Sequence, residues 1–240
     1  MAESTLHGYR DNRLLAALPP ESLASMAESL QSVSLPAGAV LAEPGATFDE
    51  IIFPTTGLIS LLVVTKRGVA IETTMIGREG AIGLHRAFGE RKSFARARTQ
   101  VGGKFLTIRA ASFAQIVKEH AAVRELIGRY TEVLLAETQQ IAACNAIHDA
   151  SSRLCRWLLQ GADRAGSEKL PLTQEFMAQM LGVRRTTVTL LAQALQKKGL
   201  IKYSRGQITI VDRRGLEACA CECYHIIQHT RLPHAIGVKL

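Results

Sequence analysis

The stretch TQEFMAQMLGVRRTTVTLL, residues 173–191, decides the fold of the C-terminal half of the chain. Thr173 is a good helix N-cap, and Ala178 is the small residue expected where two helices cross closely. Gly182 can adopt the left-handed conformation of a tight turn, and Val188 is spaced as a core anchor of a second helix. A random pair of helices seldom meets all of these constraints, so the stretch predicts a helix-turn-helix.

The second helix of this motif is expected to run from Arg184 to Lys198, with its N-terminal end entering the major groove of DNA. Arginine can pair bidentately with guanine, threonine can bind base edges, and an exposed leucine suits thymine methyl groups. About half of contacting residues bind phosphate instead, so both roles stay open for each arginine. The candidate DNA-contacting residues here are Thr173, Arg184, Arg185, Thr186, Thr187, Thr189, Leu190 and Gln193.

A two-stranded hairpin with a basic tip is predicted directly after this helix. Residues 199–211 alternate between apolar and polar residues around Arg205-Gly206, as expected for two strands joined by a tight turn. Lys202 and Arg205 are well placed for phosphate contacts. The pattern therefore indicates a winged helix-turn-helix.

The distribution of charge supports a polyanionic partner for this half of the chain. The net charge is +8; residues 1–147 hold 15 Lys and Arg against 14 Asp and Glu, and residues 148–240 hold 14 against 7. The excess is thus +1 in the first part and +7 in the second. A basic segment of this kind attracts nucleic acid first and anionic membrane second, and a basic solubilising surface is the alternative.

The N-terminal half is expected to be rich in strands. From Val33 to about Ile108, short apolar runs alternate with glycine and proline. Many short strands at regular spacing favour a β-sandwich or jelly roll.

After Ser112 the apolar residues recur mostly at three- and four-residue steps, which predicts one long helix of about 25 to 35 residues. Such a stripe needs a partner, and a second copy of the same helix is an economical one. Alternatively, the stripe packs on the β-domain of its own chain. The predicted dimerisation residues are Val123, Ile127, Tyr130, Leu134 and Ile141.

The predicted fold class is therefore α+β, with an N-terminal β-roll or jelly roll, a long dimerisation helix and a C-terminal winged helix-turn-helix. Asp149 offers an N-cap where the chain changes domain. The predicted boundaries are a sensor domain at 1–111, the dimerisation helix at 112–147, the DNA-binding domain at 148–222 and a tail at 223–240.

Over roughly residues 14–222, this order of elements resembles the Crp/Fnr superfamily of bacterial transcription regulators. The resemblance implies a β-roll of the cyclic-nucleotide-binding type, a dimerisation helix, a hinge near Asp149 and a C-terminal DNA-binding domain. It also implies that the partners are double-stranded DNA, a second copy of the chain and RNA polymerase.

The effector pocket departs from the catabolite-activator branch of that family. That branch holds its nucleotide with a Gly-Glu-Leu stretch followed by an Arg-Ser pair, whereas residues 82–86 read IGLHR and residues 92–94 read KSF. The ribose carboxylate is missing, and a lysine cannot form the bidentate contact of the phosphate-binding arginine. We therefore expect no dependence on cyclic AMP. The candidate pocket residues are Gly83, Leu84, His85, Arg86, Lys92 and Ser93.

Two other departures concern the cofactor and the DNA target. The oxygen-sensing branch needs an N-terminal cysteine cluster, but no cysteine precedes Cys144, so an iron-sulfur cluster is not expected. No other cofactor is predicted, and the effector stays unknown. The family's common Arg-Glu-x-x-x-Arg pattern reads here as Arg185-Thr186 with Leu190 at the last position, which predicts a different target sequence.

The cysteines near the C-terminus invite a metal or redox interpretation. Their Cys-x-Cys-x-Cys spacing is not that of a standard zinc site, so no metal is predicted. In a helix, Cys219 and Cys223 would share a face and Cys221 would point away. Incidental buried thiols are favoured, with redox sensing at Cys219, Cys221 and Cys223 as the alternative.

Function follows from these observations together. The sequence shows no nucleophile-base constellation or paired carboxylates, so no enzyme is predicted. It shows no signal peptide or membrane span of about 20 apolar residues, and its odd number of cysteines does not suit a disulfide framework, so a cytoplasmic protein without a membrane partner is expected. The predicted function is a sequence-specific, homodimeric, DNA-binding transcription regulator on an inverted repeat. The alternative is a small-molecule or thiol-redox sensor whose C-terminal domain mainly contacts protein.

Overall fold

A computed structural model of the chain describes residues 8–89 and 92–230. The predicted start of the sensor domain at residues 1–7 and the end of the predicted tail at residues 231–240 lie outside the described residues. Within them, a strand-rich half is followed by a mostly helical half, and the predicted α+β class is confirmed. No helix in the described part of the chain is long and apolar enough to cross a membrane.

The N-terminal half is a β-roll of two antiparallel sheets. Its strands are β1 (Gln31–Leu35), β2 (Val40–Ala42), β3 (Glu50–Pro54), β4 (Leu58–Val64), β5 (Ala70–Ile76), β6 (Arg96–Val101) and β7 (Gly103–Arg109). One sheet has the order β1-β7-β3 and the other β2-β6-β4-β5. The mostly apolar sequence of β4, in which Ser60 is the polar residue, suits its place between β5 and β6, where most of its side chains are buried. A 3-10 helix (Leu84–Phe88) connects β5 to β6.

The segment predicted as one long helix consists of two helices. Helices α1 (Arg13–Ala16) and α2 (Pro20–Ala27) precede β1, and α3 (Ala110–Glu119) and α4 (Ala121–Ile147) follow β7. His120 separates α3 from α4 because its backbone is extended, with φ −111° and ψ 104°. The 27 residues of α4 have the expected length, but residues 112–119 belong to α3.

The apolar stripe of α4 packs on its own β-roll, which corrects the expectation that this stripe forms the dimer surface. Val123, Ile127 and Tyr130 are buried in one core with residues of β3, β7 and α3, and Leu134 packs against that core. Ile141 is buried farther along the helix. The stripe has its partner within the chain, as in the alternative interpretation.

The C-terminal half contains the winged-helix domain and one further helix. Asp149 caps the helix that begins at Ala150. Its side chain accepts hydrogen bonds from the backbone N–H groups of Ser151 and Ser152 at 2.7 and 3.0 Å. The predicted tail is helical from Cys223 to Thr230. This last helix packs on α4 and on the helix that begins at Ala150, which meet at the hinge near Asp149. The elements are α5 (Ala150–Ala165), β8 (Lys169–Leu170), α6 (Gln174–Leu181), α7 (Arg185–Lys197), β9 (Ile201–Ser204), β10 (Gln207–Ile210), α8 (Arg213–Cys219) and α9 (Cys223–Thr230).

The winged-helix domain packs directly against the β-roll. Leu58, Leu62 and Met75 of the β-roll share one buried cluster with Leu158 of α5 and Met177 of α6. A fully buried aliphatic side chain contributes roughly 1.5–3 kcal/mol to folding. The shared core therefore ties the position of the helix-turn-helix to the β-roll.

Candidate nucleic-acid interface

The turn between α6 and α7 has the geometry of a helix-turn-helix. Thr173 caps α6, because its Oγ1 accepts the backbone N–H of Phe176 at 3.1 Å. Gly182 ends α6 in the left-handed backbone conformation, with φ 64°. Residues other than glycine adopt this conformation at a cost in free energy. The chain can therefore reverse within three residues and begin α7 at Arg185.

The apolar residues of the motif fix which face of α7 points outward. Ala178, Val188 and Leu195 are buried, and Leu191 packs partly buried against the same core. Because these positions point inward, the opposite face of α7 is exposed. The exposed residues of that face and of the N-terminal end of α7 include Arg184, Arg185, Thr186, Leu190 and Gln193.

Two of the predicted contact residues are less accessible. Thr187 and Thr189 are half-buried. The Thr189 hydroxyl lies 2.8 Å from Gln174 Oε1 and 3.0 Å from the backbone carbonyl oxygen of Arg185. This hydroxyl therefore helps to hold α7 against α6, and a base contact from Thr189 stays a prediction.

The wing lies beside the recognition helix. β9 and β10 pair around Arg205 and Gly206, which have positive φ angles of 49° and 75°, as expected of a tight hairpin turn. The backbone N–H of Tyr203 donates to Gln196 Oε1, which links β9 to α7. The strand β8 also pairs with β10, so the predicted two-stranded hairpin is part of a three-stranded sheet.

Four basic side chains at this surface form no ion pair with a carboxylate of the described residues. Arg184, Arg185, Lys202 and Arg205 are exposed, and none forms an ion pair with another described residue. By contrast, Arg213 pairs with three carboxylates, which raises its pKa above the usual range despite its partial burial. The unpaired cations are available to phosphates and bases, whereas Arg213 is structural.

A cleft in the β-roll collects most of the predicted effector residues. Gly83, Leu84, His85 and Ser93 line a cavity of about 220 Å³. Arg86 lies instead at a second cleft, and Lys92 forms an isolated bridge with Thr47. The remaining wall is mostly apolar and includes residues of α4; these lining residues are Phe48, Leu61, Ile76, Ala81, Ile82, Phe94, Ala95, Tyr130, Thr131 and Leu134.

The cleft reaches the long helix through Tyr130. A Cβ at Gly80 would lie 2.0 Å from the Tyr130 hydroxyl oxygen, so only glycine fits there. Burial raises the pKa of Tyr130 well above its usual value, and the nearby Glu79 and Glu137 carboxylates act in the same direction. Tyr130 is therefore a neutral phenol at physiological pH, and it connects the cleft to α4.

The cysteines are arranged differently from the helical expectation. Cys221 does not point away; its Sγ lies 3.5 Å from Cys144 Sγ, and Cys223 Sγ lies 3.6 Å from His148 Nδ1. Cys219 packs elsewhere, against the core of the winged-helix domain. The hydrogen bond with Cys221 lowers the pKa of the Cys144 thiol. The spacing predicted no metal site, but these four side chains form a group that could hold a metal ion.

Sequence reasoning also missed a buried polar network between the two halves. Trp157 of α5 and Ser60 of β4 both donate to Glu72 of β5, each at 2.5 Å. Arg164 of α5 pairs with Glu79 at 3.1 Å and also with Glu137 of α4. The sequence signals for this network are Trp157 and Arg164, whose polar groups fall among the buried positions of α5.

Comparisons with known proteins agree with this architecture. A family model for the Crp-like helix-turn-helix domain matches residues 152–219. The transcriptional regulator SdrP of Thermus thermophilus is 26% identical over 204 residues, which cover 81% of this chain and 96% of SdrP.

Solved structures show the same fold. FixK2 of Bradyrhizobium japonicum superposes with a TM-score of 0.67 at 16% identity, over 80% of this chain and 98% of FixK2. A Crp/Fnr-family transcriptional regulator of Thermus thermophilus gives a TM-score of 0.59 at 21% identity, over 79% of this chain and 98% of the other. The chain thus carries a Crp-like helix-turn-helix domain at residues 152–219, and over most of its length it is similar in fold to solved Crp/Fnr-family regulators.

Proposed function

We propose that the protein is a cytoplasmic, sequence-specific DNA-binding regulator that acts as a homodimer on an inverted repeat and does not depend on cyclic AMP. The observation that carries the proposal is the exposed N-terminal end of α7, flanked by the basic wing. Arg184, Arg185, Lys202 and Arg205 present four unpaired charges on this part of the surface. This arrangement suits a major groove with phosphates on either side.

Base reading is assigned to the exposed side chains of α7. Arg185 can take guanine O6 and N7 in a bidentate contact, and Leu190, which is 67% exposed, suits a thymine methyl group. Lys202 and Arg205 of the wing are assigned to phosphates, which position the domain without reading sequence.

The dimer surface is proposed on the outward face of α4. Gly128, Thr131, Leu135, Ala142 and Ala146 are exposed there at mostly three- and four-residue steps. Leu135 is 57% exposed, and the small residues around it allow a second helix to approach closely. A second copy of α4 would cover this face, and the two recognition helices would then reach half-sites about one helical turn apart.

The apolar cleft supports a ligand other than cyclic AMP. A cyclic phosphate needs a cation, and neither Arg86 nor Lys92 is among the residues that line the cavity. A small ligand of largely apolar character fits the wall better. Because Tyr130 and Leu134 of α4 form part of that wall, occupancy could change the position of the long helix.

The test is selection of bound duplexes from a random pool by the purified protein. We expect an inverted repeat with half-sites centred about 10 base pairs apart to be enriched. Such a dimer would regulate transcription by contacting RNA polymerase or by excluding it from a promoter. Equal affinity for selected and random duplexes would refute the proposal.

A further inference from the structure

Three thiols and one imidazole form a cluster between the hinge and the C-terminal helix. Cys144 and His148 come from the end of α4, Cys221 from the turn that follows α8, and Cys223 from the start of α9. Each side chain offers one ligand atom, and all four atoms lie within 4.8 Å of one another. We propose that this cluster binds one Zn²⁺ ion through Cys144 Sγ, Cys221 Sγ, Cys223 Sγ and His148 Nδ1.

Two of the distances between these ligand atoms match a tetrahedral site. Zn²⁺ binds sulfur at about 2.3 Å and imidazole nitrogen at about 2.0–2.1 Å, so ideal angles place two sulfurs about 3.8 Å apart and sulfur and nitrogen about 3.5 Å apart. Cys144 Sγ and Cys221 Sγ are 3.5 Å apart, and Cys223 Sγ and His148 Nδ1 are 3.6 Å apart. These two pairs lie within a few tenths of an ångström of the tetrahedral values, and the other ligand-atom pairs, at no more than 4.8 Å, would close by about 1 Å at most on metal binding.

The surroundings prepare these atoms for a metal. His148 Nε2 lies 3.1 Å from the carboxylate oxygen of Glu222, which holds a proton on Nε2 and leaves the lone pair on Nδ1. This carboxylate-histidine pairing is typical of zinc ligands. The amide of Gln140 donates to Cys223 Sγ at 3.1 Å, a contact that stabilises a thiolate.

The charge balance also favours the ion. Three thiolates and Zn²⁺ together carry one negative charge, and the thiol protons go to solvent on binding. Arg153 and Arg156 lie near enough for their charges to act on Cys144. Arg156 is buried and donates to the neutral Gln160, and it makes no salt bridge within residues 8–89 and 92–230. An anionic metal site would give this buried guanidinium a counter-charge.

The location assigns the ion a mechanical role. His148 is the C-cap of α4 and precedes Asp149, the N-cap of α5. Cys223 begins α9, which packs on both α4 and α5. Zn²⁺ would therefore fasten α9 to the hinge that joins the long helix to the winged-helix domain.

The full-length protein, purified and kept with a thiol-free reductant, tests this site by elemental analysis and by titration with Co²⁺. We expect one Zn²⁺ per chain, and with Co²⁺ the absorption bands of a tetrahedral, thiolate-ligated ion. Cys221→Ser and Cys223→Ser should lose the stoichiometric metal and these bands. The matched control Cys219→Ser, which changes a thiol outside the cluster, should keep both.

Glu222→Gln keeps the test decisive if a cysteine variant does not fold. It leaves all four ligands in place but weakens the partner of His148, so Zn²⁺ affinity should fall about 10- to 100-fold. The proposal is overturned if the reduced wild-type protein takes up no stoichiometric Zn²⁺ or Co²⁺, or if Glu222→Gln binds Zn²⁺ as tightly as wild type. The proposal is also overturned if Cys144 and Cys221 form a disulfide that the reductant does not open, because these two sulfurs could then not both bind Zn²⁺ as thiolates.

Discussion

The indole Nε1 of Trp157 donates a hydrogen bond to Oε1 of Glu72 at 2.5 Å, across the junction between the winged-helix domain and the β-roll. Glu72 is fully buried, and burial raises its pKa to about 7. The donors Trp157 and Ser60 and the charges of Arg164 and Arg156 act in the opposite direction and only partly offset the burial. The contact that joins the two halves is therefore sensitive to pH near neutrality.

Glu72 should make the stability of the protein depend on pH. Because its pKa is raised from 4.5 to about 7 by folding, its contribution to stability is complete below about pH 4.5 and is lost as pH rises through about 7. Glu72→Gln removes this dependence. Between pH 5 and pH 8, the free energy of unfolding of wild type should fall relative to this variant by about 2 to 3 kcal/mol.

Urea unfolding at the two pH values measures this difference. Glu175→Gln, at an exposed position on α6, is the control and should track wild type. If wild type and Glu72→Gln differ by the same amount at both pH values, the proton on Glu72 is not linked to folding.

Leu135→Arg should weaken the dimer. A charged side chain at the centre of the proposed α4 face cannot be buried against its own copy without a large desolvation cost. Sedimentation equilibrium should show a shift toward monomer and a matching loss of affinity for an inverted repeat. Val40→Arg, at an exposed apolar position of β2, should leave the mass unchanged; a dimeric Leu135→Arg protein would place the interface elsewhere.

The wing cations should contribute affinity without specificity. Lys202→Ala and Arg205→Asn each remove one phosphate contact, and Asn tolerates the positive φ of residue 205. Each should lower affinity for all duplexes by a similar factor and reduce the slope of log K against log salt by about 0.9. Lys66→Ala, on an exposed turn of the β-roll, should change neither quantity. A change in base preference on Lys202→Ala would assign that residue to sequence reading.

Cyclic AMP should not stabilise the protein. A ligand present at 100 times its Kd adds about 2.7 kcal/mol to the stability of the native state, which raises the Tm visibly. We expect thermal unfolding to be unchanged by millimolar cyclic AMP, because the cations that would hold its phosphate do not line the cleft. A saturable rise in Tm would contradict this description of the cleft.

Local patterns predicted the helix-turn-helix and the wing well. The left-handed turn at Gly182 and the hairpin at Arg205-Gly206 depend on a few adjacent residues, so the sequence alone indicates them. The stripe of α4 was predicted as a helix face, but periodicity does not say whether Val123 and Tyr130 meet a second chain or the same chain.

Contacts between distant residues could not be read from spacing. Cys144 and His148 lie more than 70 positions before Cys221 and Cys223, and the short-range spacing of the last three cysteines suggested helical neighbours instead. Glu72 and Trp157 are 85 positions apart, and the packing of α5 on β4 and of α6 on β5 brings them together. The sequence did not predict contacts whose two residues are brought together by the tertiary fold and not by a local pattern.

The most direct test of sequence reading by α7 is to repeat the selection of bound duplexes with Arg185→Ala beside Lys202→Ala. If Arg185 reads guanine, its variant should lose about 1 to 3 kcal/mol on the best site, and one base position in each half-site should lose its preference. Lys202→Ala should select the wild-type sequence. An Arg185→Ala protein that selects the unchanged sequence, with equal losses on every duplex, would contradict the assignment of Arg185 to base reading.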